Sequence, residues 1–175
     1  MLRVGVIEGN GIGPELVRAT KDVLNATGLD IEWIDIPVGD AACEQYGHPL
    51  PPESIRALKK AKLVLKGPMA VERHKGRTTC IHEDGSEHTY PSINNAIRRE
   101  LNLFVCPRPI RGFPGISGKH SEMNVVIMRE ITEGLYAGFE HAIGDVAAEA
   151  IKLVTRQAVE KLTHYSFAYA RKNSR

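Results

Sequence analysis

The sequence lacks the features that mark nucleic-acid-binding, membrane-spanning and secreted proteins. Its 175 residues carry a formal net charge of only +2, too small an excess to indicate binding to nucleic acid or to an anionic membrane. No apolar run approaches the roughly 20 residues that a membrane span needs. The start "MLRVGVIEGNG" enters a strand-like run directly, so no signal peptide is expected. The cysteines, Cys43, Cys80 and Cys106, are few and unpatterned, which predicts a reduced, cytoplasmic setting.

What is present is typical of a soluble globular domain with a real core, since 42% of the residues are hydrophobic and 25% are charged. Leu2–Ile7 predicts a strand, and "GNGIGPEL" breaks it before a helix whose Leu16, Ala19 and Val23 recur at helical spacing. A strand in "IEWIDIPV", a helix in "PESIRALKKA" and a strand in "KLVLKGP" follow. This alternation predicts an α/β fold with parallel strand pairing.

The second half of the chain is less regular. Residues 71–91 are polar and aperiodic, which predicts a flap or hairpin. Residues 92–101 predict a helix and residues 102–106 a strand, followed by a connection in the Pro- and Gly-rich "PRPIRGFPGISG". "MNVVIMRE" predicts another strand, residues 145–155 indicate helix or the edge of a sheet, and residues 156–171 predict an amphipathic helix.

Two local patterns invite functional interpretations that the residues only weakly favour. "GNGIGP" resembles a dinucleotide-binding loop, but Pro14 stands where the third glycine belongs, so a tight strand-to-helix turn is the better interpretation. The polar segment holds His74, Cys80, His82 and His88, whose spacing matches no common zinc template. A solvated flap is therefore favoured over a metal site.

The stretch "SINNAIRRELNLFVCPRPIRG" carries the strongest signal. Ser92 is a plausible helix N-cap, and Asn94 and Arg98 share one helical face, which together make a candidate anion site. Arg108 lies between two prolines that restrict its backbone, and Arg129 ends an apolar strand. Three guanidinium groups predict recognition of several carboxylates, although each arginine taken singly is more often a solvated surface residue.

At this point the chain resembles a known family. The segments "VGVIEGNGIGPEL", "LKGP", "SINNAIRRELNLFVCPRPI" and "VVIMREITEGLYAGFEH" resemble the isocitrate/isopropylmalate dehydrogenase family, from about Val4 to the C-terminus. The resemblance implies oxidation and decarboxylation of a 2-hydroxy acid with NAD or NADP and Mg²⁺ or Mn²⁺. The pattern Ser-x-Asn-x-x-x-Arg resembles the isocitrate branch, because isopropylmalate enzymes usually have apolar residues at the Ser and Asn positions. A tricarboxylate substrate is therefore expected.

The resemblance also implies roles for individual residues. Ser92 and Asn94 would recognise the additional carboxylate, and phosphorylation of Ser92 would block binding by repulsion. The remaining carboxylates would be bound by three arginines, Arg98, Arg108 and Arg129. Tyr136, which taken alone is more often a packed aromatic residue, would resemble the proton donor to the enolate. Ile12 and Ala70 would lie beside the cofactor, although Met69 and Ala70 replace a segment where isocitrate enzymes commonly carry a threonine.

The family pattern continues, beyond this chain, with a catalytic lysine, metal-binding aspartates and an adenosine-binding loop. The resemblance thus implies an N-terminal half: residues 1–103 would be the first part of a large α/β domain, with 71–91 as a flap, and residues 104–175 the first part of a small domain with a dimer clasp. Metal ligands are expected outside this chain, and a homo-oligomer or a complementing C-terminal half as partner. Alternatives are a non-catalytic tricarboxylate-binding or regulatory subunit and, within the family, isopropylmalate or homoisocitrate dehydrogenase.

Overall fold

The computed structural model describes residues 1–69, 77–82, 84–116 and 120–175, which form two compact units, Met1–Leu101 and Asn102–Arg175. The assignment of residues 1–103 and 104–175 to a large and a small domain stays a prediction. No helix in the described ranges is both long enough and apolar enough to cross a membrane.

The first unit is an α/β structure built on a parallel three-stranded sheet in the order β2-β1-β3, which confirms the predicted fold class. Its elements in chain order are β1 (Leu2–Ile7), α1 (Gly13–Ala26), β2 (Ile31–Asp35), α2 (Asp40–Tyr46), α3 (Pro52–Lys60), β3 (Val64–Lys66), β4 (Thr78–Ile81), β5 (Glu87–Tyr90) and α4 (Ile93–Glu100). Strands β4 and β5 form an antiparallel hairpin within the predicted flap.

The core of this unit lies where α3, α4 and the β4–β5 hairpin pack together with the sheet. Central strand β1 is buried from Val4 through Ile7, as a parallel strand covered on both faces requires. Ile55 and Leu58 bring α3 into the core beside Leu50, which precedes the helix. Ala96 and Ile97 bring α4 into the same cluster. Helix α4 is therefore held by its apolar face, which fixes the position of its polar residues.

Helix α1 forms as predicted, but its expected apolar face does not pack. Val17 is buried, whereas Leu16 and Val23 are exposed at 45% and 68%. Pro14 lies in the first turn, where its missing N–H removes no hydrogen bond. The spacing of Leu16, Ala19 and Val23 thus located the helix correctly, whereas the apolar side chain that the helix buries is Val17.

The second unit consists of two antiparallel hairpins and one long helix: β6 (Val105–Arg111), β7 (Asn124–Glu130), β8 (Gly134–Ile143), β9 (Ala147–Leu153) and α5 (Arg156–Lys172). Thr155 caps α5, since its hydroxyl oxygen accepts a hydrogen bond from the Ala158 N–H at 3.2 Å. Phe104 packs edge-on against Tyr165 of this helix, with ring centroids 5.7 Å apart.

Strand β6 corrects the predicted connection in "PRPIRGFPGISG", because Pro107 and Pro109 lie inside the strand. The Gly112 N–H donates to the Met123 carbonyl at 2.7 Å. Because N–H groups alternate between the two edges of a strand, the even-numbered residues of β6 direct their N–H groups toward β7. The nitrogens of both prolines therefore point away from β7. Proline is tolerated at such positions since no ladder hydrogen bond is lost.

Candidate active site

Ser92 is the N-cap of α4 and begins the first group of predicted site residues. Its backbone is extended, and its hydroxyl oxygen accepts a hydrogen bond from the Asn95 N–H at 3.3 Å. The helix buries Asn95, Ala96 and Ile97, while Asn94 and Arg98 are half-buried. The predicted cap is confirmed. The anion site predicted at this helix start stays a prediction.

Lys66 is a residue that the sequence analysis missed. It ends β3, and its ammonium group donates to the Gly67 carbonyl at 2.9 Å. Lys66 as a whole residue is exposed, yet its ammonium group is partly desolvated. This desolvation, and second the positive charge of Arg98, lower the pKa of the Lys66 ammonium. Its position at the carboxyl end of a parallel strand, before Gly67-Pro68, is a signal that could have identified it.

Arg129 and Tyr136 contact each other directly in the second unit. The Arg129 guanidinium donates a hydrogen bond to the Tyr136 hydroxyl oxygen, and its central carbon lies 5.3 Å from the centroid of the tyrosine ring. The Tyr136 hydroxyl oxygen is the acceptor in this contact, so the bond does not use the phenolic proton. A cation over the ring face adds an electrostatic attraction that fixes the pair.

A turn built around Glu130 connects β7 and β8 and so determines where Arg129 and Tyr136 stand. The Glu130 carboxylate accepts hydrogen bonds from the Thr132 N–H at 2.7 Å, from the Thr132 hydroxyl and from the Glu133 N–H at 2.8 Å. Burial raises the pKa of the Glu130 carboxyl, but the hydrogen bonds from Thr132, Glu133 and Ile131 together outweigh it, and the pKa is lowered. The charged form of Glu130 therefore stabilises the turn.

The next acidic residue extends this scaffold to α5. Glu133 accepts from the Thr155 N–H at 2.8 Å and from the Thr155 hydroxyl at 2.6 Å. Since Thr155 is also the cap of α5, one carboxylate joins the β7–β8 turn to the start of the helix. A cleft of about 490 Å³ lies beside the turn, and Arg129 and Tyr136 line it together with Lys152 and apolar residues of β9 and α5.

Arg108 and Arg129 project from the same face of the β6–β7 ribbon. Cys106 pairs with Arg129 and Arg108 with Ile127, so the two arginines are diagonal neighbours on adjacent strands. Both are exposed. The structure thus brings Arg108, Arg129 and Tyr136 onto the second unit, whereas Ser92, Asn94 and Arg98 belong to the first.

Two of the three glycines in the "GNGIGP" loop pack against backbone, and the third, Gly11, has open space where a Cβ would lie. A Cβ on Gly9, whose φ is +79°, would lie 1.9 Å from the Pro68 carbonyl oxygen, and one on Gly13 would lie 2.4 Å from the Glu8 carbonyl oxygen. These spaces are filled by backbone and form no cradle for a pyrophosphate. Ile12 is the N-cap of α1 and is 64% exposed. Ala70, the other predicted cofactor contact, lies outside the described residues.

The convergent side chains also do not fit a magnesium site. The two sets of predicted site residues offer hydroxyl, amide, guanidinium and phenol groups. Protein sites for Mg²⁺ normally include carboxylate oxygens. Glu130 and Glu133 lie close by, but their oxygens are engaged by the turn and by Thr155. The expectation that the ligands of the catalytic metal lie outside this chain stays a prediction.

Comparison with known proteins identifies what this arrangement resembles. The family model described as isocitrate/isopropylmalate dehydrogenase matches residues 3–175. The crystal structure of isocitrate dehydrogenase from Methylococcus capsulatus is 36% identical with a TM-score of 0.80, and the similarity covers 100% of this chain and 49% of that one.

Two curated relatives belong to different branches of that family. The chloroplastic 3-isopropylmalate dehydrogenase of Solanum tuberosum is 32% identical over 100% of this chain and 45% of that protein. The mitochondrial isocitrate dehydrogenase [NAD] catalytic subunit 5 of Arabidopsis thaliana is 34% identical over 95% of this chain and 41% of that protein. This chain therefore spans less than half the length of these relatives. Because they include organellar proteins, the cytoplasmic placement stays a prediction.

Proposed function

Since the chain belongs to the isocitrate/isopropylmalate dehydrogenase family, we propose that it carries the carboxylate-binding and proton-donating residues of an oxidative decarboxylase whose preferred substrate is isocitrate. The observation that carries this proposal is the contact between Arg129 and Tyr136, which couples a carboxylate-binding cation to a phenol proton donor. The same contact favours a catalytic role over a purely regulatory subunit, since a binding module needs no oriented proton donor.

Each residue has a defined task in this proposal. Ser92 and Asn94 hydrogen-bond the carboxylate that distinguishes isocitrate from isopropylmalate, and Arg98 pairs with a carboxylate at the other end of the same helical face. Arg108 and Arg129 bind further carboxylates as bidentate donors. After carbon dioxide leaves, Tyr136 gives its phenolic proton to the enolate carbon and becomes a phenolate, and the hydrogen bond from Arg129 stabilises that negative charge.

The cofactors complete the chemistry. When bound, NAD or NADP would supply a hydride acceptor and Mg²⁺ or Mn²⁺ would supply polarisation of a carbonyl, with metal ligands expected outside this chain. The described residues define no pyrophosphate cradle and no carboxylate cage for these groups.

We also propose self-association through the β8–β9 hairpin. Phe139 pairs directly with Ile151 across this hairpin, and each side chain is 55% exposed. Val146 in the turn is 92% exposed, and Leu135 and Ile143 are exposed on the same strand. Several exposed apolar residues on one hairpin are typical of a protein-binding surface. A second copy of the chain is the proposed partner, and a complementing C-terminal half is the alternative.

The binding proposal is tested by calorimetry with isocitrate. Each charge-assisted pair contributes about 1.5–3 kcal/mol, so Arg98→Ala and Arg108→Ala should each weaken binding roughly tenfold or more. Arg18→Ala, which removes an exposed arginine of α1, is the matched control. Unchanged affinity in both site variants would remove these arginines from the substrate site.

Turnover is tested with NAD and NADP in the presence of Mg²⁺ or Mn²⁺. We expect none from the 175-residue chain by itself and activity after mixing with a polypeptide that supplies the remaining length of the relatives. Robust turnover by the homogeneous chain would show that the proposed division of residues is wrong.

A further inference from the structure

A second cluster of potential ligands lies on the face of the β4–β5 hairpin that packs toward α4. Cys80 pairs with His88, and Thr78 pairs with Tyr90, so these side chains share one face of the ribbon. His82 joins them, because it follows β4 in the same alternation and its N–H donates to the Ser86 carbonyl at 2.9 Å. Thr79 and Thr89 occupy the opposite face, where their hydroxyls lie 3.0 Å apart.

The end of α4 adds a carboxylate to this face. Glu100, the last residue of the helix, has a side chain only 8% exposed, and one of its oxygens accepts a hydrogen bond from the Tyr90 hydroxyl at 2.7 Å. The Lys59 ammonium lies 3.8 Å from the other oxygen. The carboxylate is therefore held in one orientation beside the hairpin.

The three potential ligands converge. One nitrogen of His82, one of His88 and a carboxylate oxygen of Glu100 all lie within 4.8 Å of one another. The two imidazole rings meet edge to face, with centroids 4.8 Å apart. The His82 Nε2 is buried without a hydrogen-bond partner and lies 3.4 Å from a Glu100 oxygen. A buried polar atom in this state requires an explanation.

We propose that His82, His88 and Glu100 bind a borderline-soft divalent cation of the Zn²⁺ type. Two imidazoles and one carboxylate match the ligand preference of zinc, whereas Mg²⁺ takes oxygen ligands. Zinc–ligand bonds of roughly 2.0–2.1 Å place tetrahedral ligands about 3.3 Å apart. The observed ligand atoms lie within 4.8 Å of one another, so binding would draw them closer together. His88 is exposed, so a water molecule can reach the fourth position.

The inference does not rest on the proposed function. The position of the proposed ion in the fold indicates which elements it would hold together. It would join the hairpin to the C-terminal end of α4, the helix that carries Ser92, Asn94 and Arg98. The competing explanation is a proton on His82 that forms a simple ion pair with Glu100, and metal titration distinguishes the two.

The experiment uses the tag-free 175-residue chain, stripped of metal by a chelator and titrated with Zn²⁺ in a calorimeter. We expect one ion per chain, and a loss of affinity of at least roughly tenfold in His82→Gln and in His88→Gln. The matched control is His141→Gln, which removes a histidine from the exposed His141–Glu149 pair, whose atoms lie 3.3 Å apart. Cobalt substitution should give the visible absorption of a tetrahedral site, and His88→Gln should abolish it.

Circular dichroism of each metal-free variant establishes that it is folded. If His82→Gln fails to fold, His88→Gln decides the question alone, because His88 is exposed and lies outside the buried core cluster. Absence of Zn²⁺ binding by the folded chain would overturn the proposal. The proposal would also be overturned if both hairpin variants kept the Zn²⁺ affinity of the wild type. The same holds if His141→Gln weakened Zn²⁺ binding as much as the hairpin variants do.

Discussion

The Arg129 guanidinium donates a hydrogen bond to the Tyr136 hydroxyl and lies over the face of the same ring, with 5.3 Å between its central carbon and the ring centroid. The two residues are separated by the turn that Glu130 and Glu133 hold together. The β7–β8 turn therefore positions the two residues for this contact, and changes in the turn should displace both of them.

Replacement of Tyr136 by phenylalanine should impair turnover far more than binding. The variant keeps the ring but loses the phenolic proton, and the loss of a general acid reduces kcat by roughly 10²–10⁴-fold. The measurement is steady-state kinetics of the chain assembled with its complementing polypeptide, with isocitrate affinity measured separately by calorimetry. Tyr165→Phe on α5 is the control and should keep full kcat. An unimpaired Tyr136→Phe enzyme would show that another group protonates the enolate.

Glu130 should make the stability of the chain depend on pH. Its pKa is lowered in the folded state, so its contribution is present above the unfolded pKa and is lost as the pH falls through the folded pKa. Hydrogen bonds to a charged acceptor contribute about 1.5–3 kcal/mol. Glu130→Gln should therefore reduce the free energy of unfolding near neutral pH, and the difference from the wild type should shrink in acid.

Urea denaturation at several pH values measures this difference. Glu140→Gln, at an exposed position of β8, is the control and should change the free energy of unfolding little at any pH. A Glu130→Gln penalty of the same size in acid and at neutral pH would mean that the carboxylate charge does not stabilise the turn.

Arg98 should keep the pKa of Lys66 lower than burial alone would. The desolvation of the ammonium is the larger cause and the charge of Arg98 the second, so Arg98→Met should raise the Lys66 pKa part of the way to its ordinary value. An NMR titration that follows the labelled Lys66 side chain measures the shift, with Arg18→Met as control. If the titration curve of Lys66 does not move in Arg98→Met, the two cations do not share one electrostatic environment.

Ser92 should affect stability and substrate choice separately. Ser92→Ala removes the α4 cap and should cost about 1 kcal/mol, whereas Ser92→Asp keeps a cap acceptor and should fold as stably as the wild type. The aspartate should nevertheless abolish isocitrate binding, because it sets a negative charge against a substrate carboxylate. Denaturation and calorimetry on both variants test this. Normal isocitrate binding by Ser92→Asp, or a wild-type preference for 3-isopropylmalate in competition, would contradict the isocitrate assignment.

Much of the first unit was predictable because its signals are local. The run Leu2–Ile7 and the Ser92 cap each depend on neighbouring residues, and the structure confirms them. Strand β6 was mistaken for a connection because proline normally argues against a strand, and only the ladder alternation shows that Pro107 and Pro109 direct their nitrogens outward. The β8–β9 hairpin has exposed apolar residues without clear alternation, so periodicity did not identify it.

The spacing of residues along the sequence also could not predict that His82, His88 and Glu100 lie close together. The register of the β4–β5 hairpin sets the two histidines on one face, and the carboxylate comes from the far end of the next helix. Tertiary packing, and no sequence template, brings these three groups together. By contrast, the Lys66 ammonium stood at a strand end before Gly67 and Pro68 and could have been noticed.

The outward-facing prolines of β6 determine at which edge of the β6–β7 ribbon a further strand can pair. On the side of β6 away from β7, no strand pairs with it among the described residues. A strand approaching from that side would meet two successive outward positions without an N–H to donate, and a regular ladder could not form there. Misassembly of chains edge to edge is therefore disfavoured on that side. Any larger sheet that includes this ribbon should be built by adding strands beside β7.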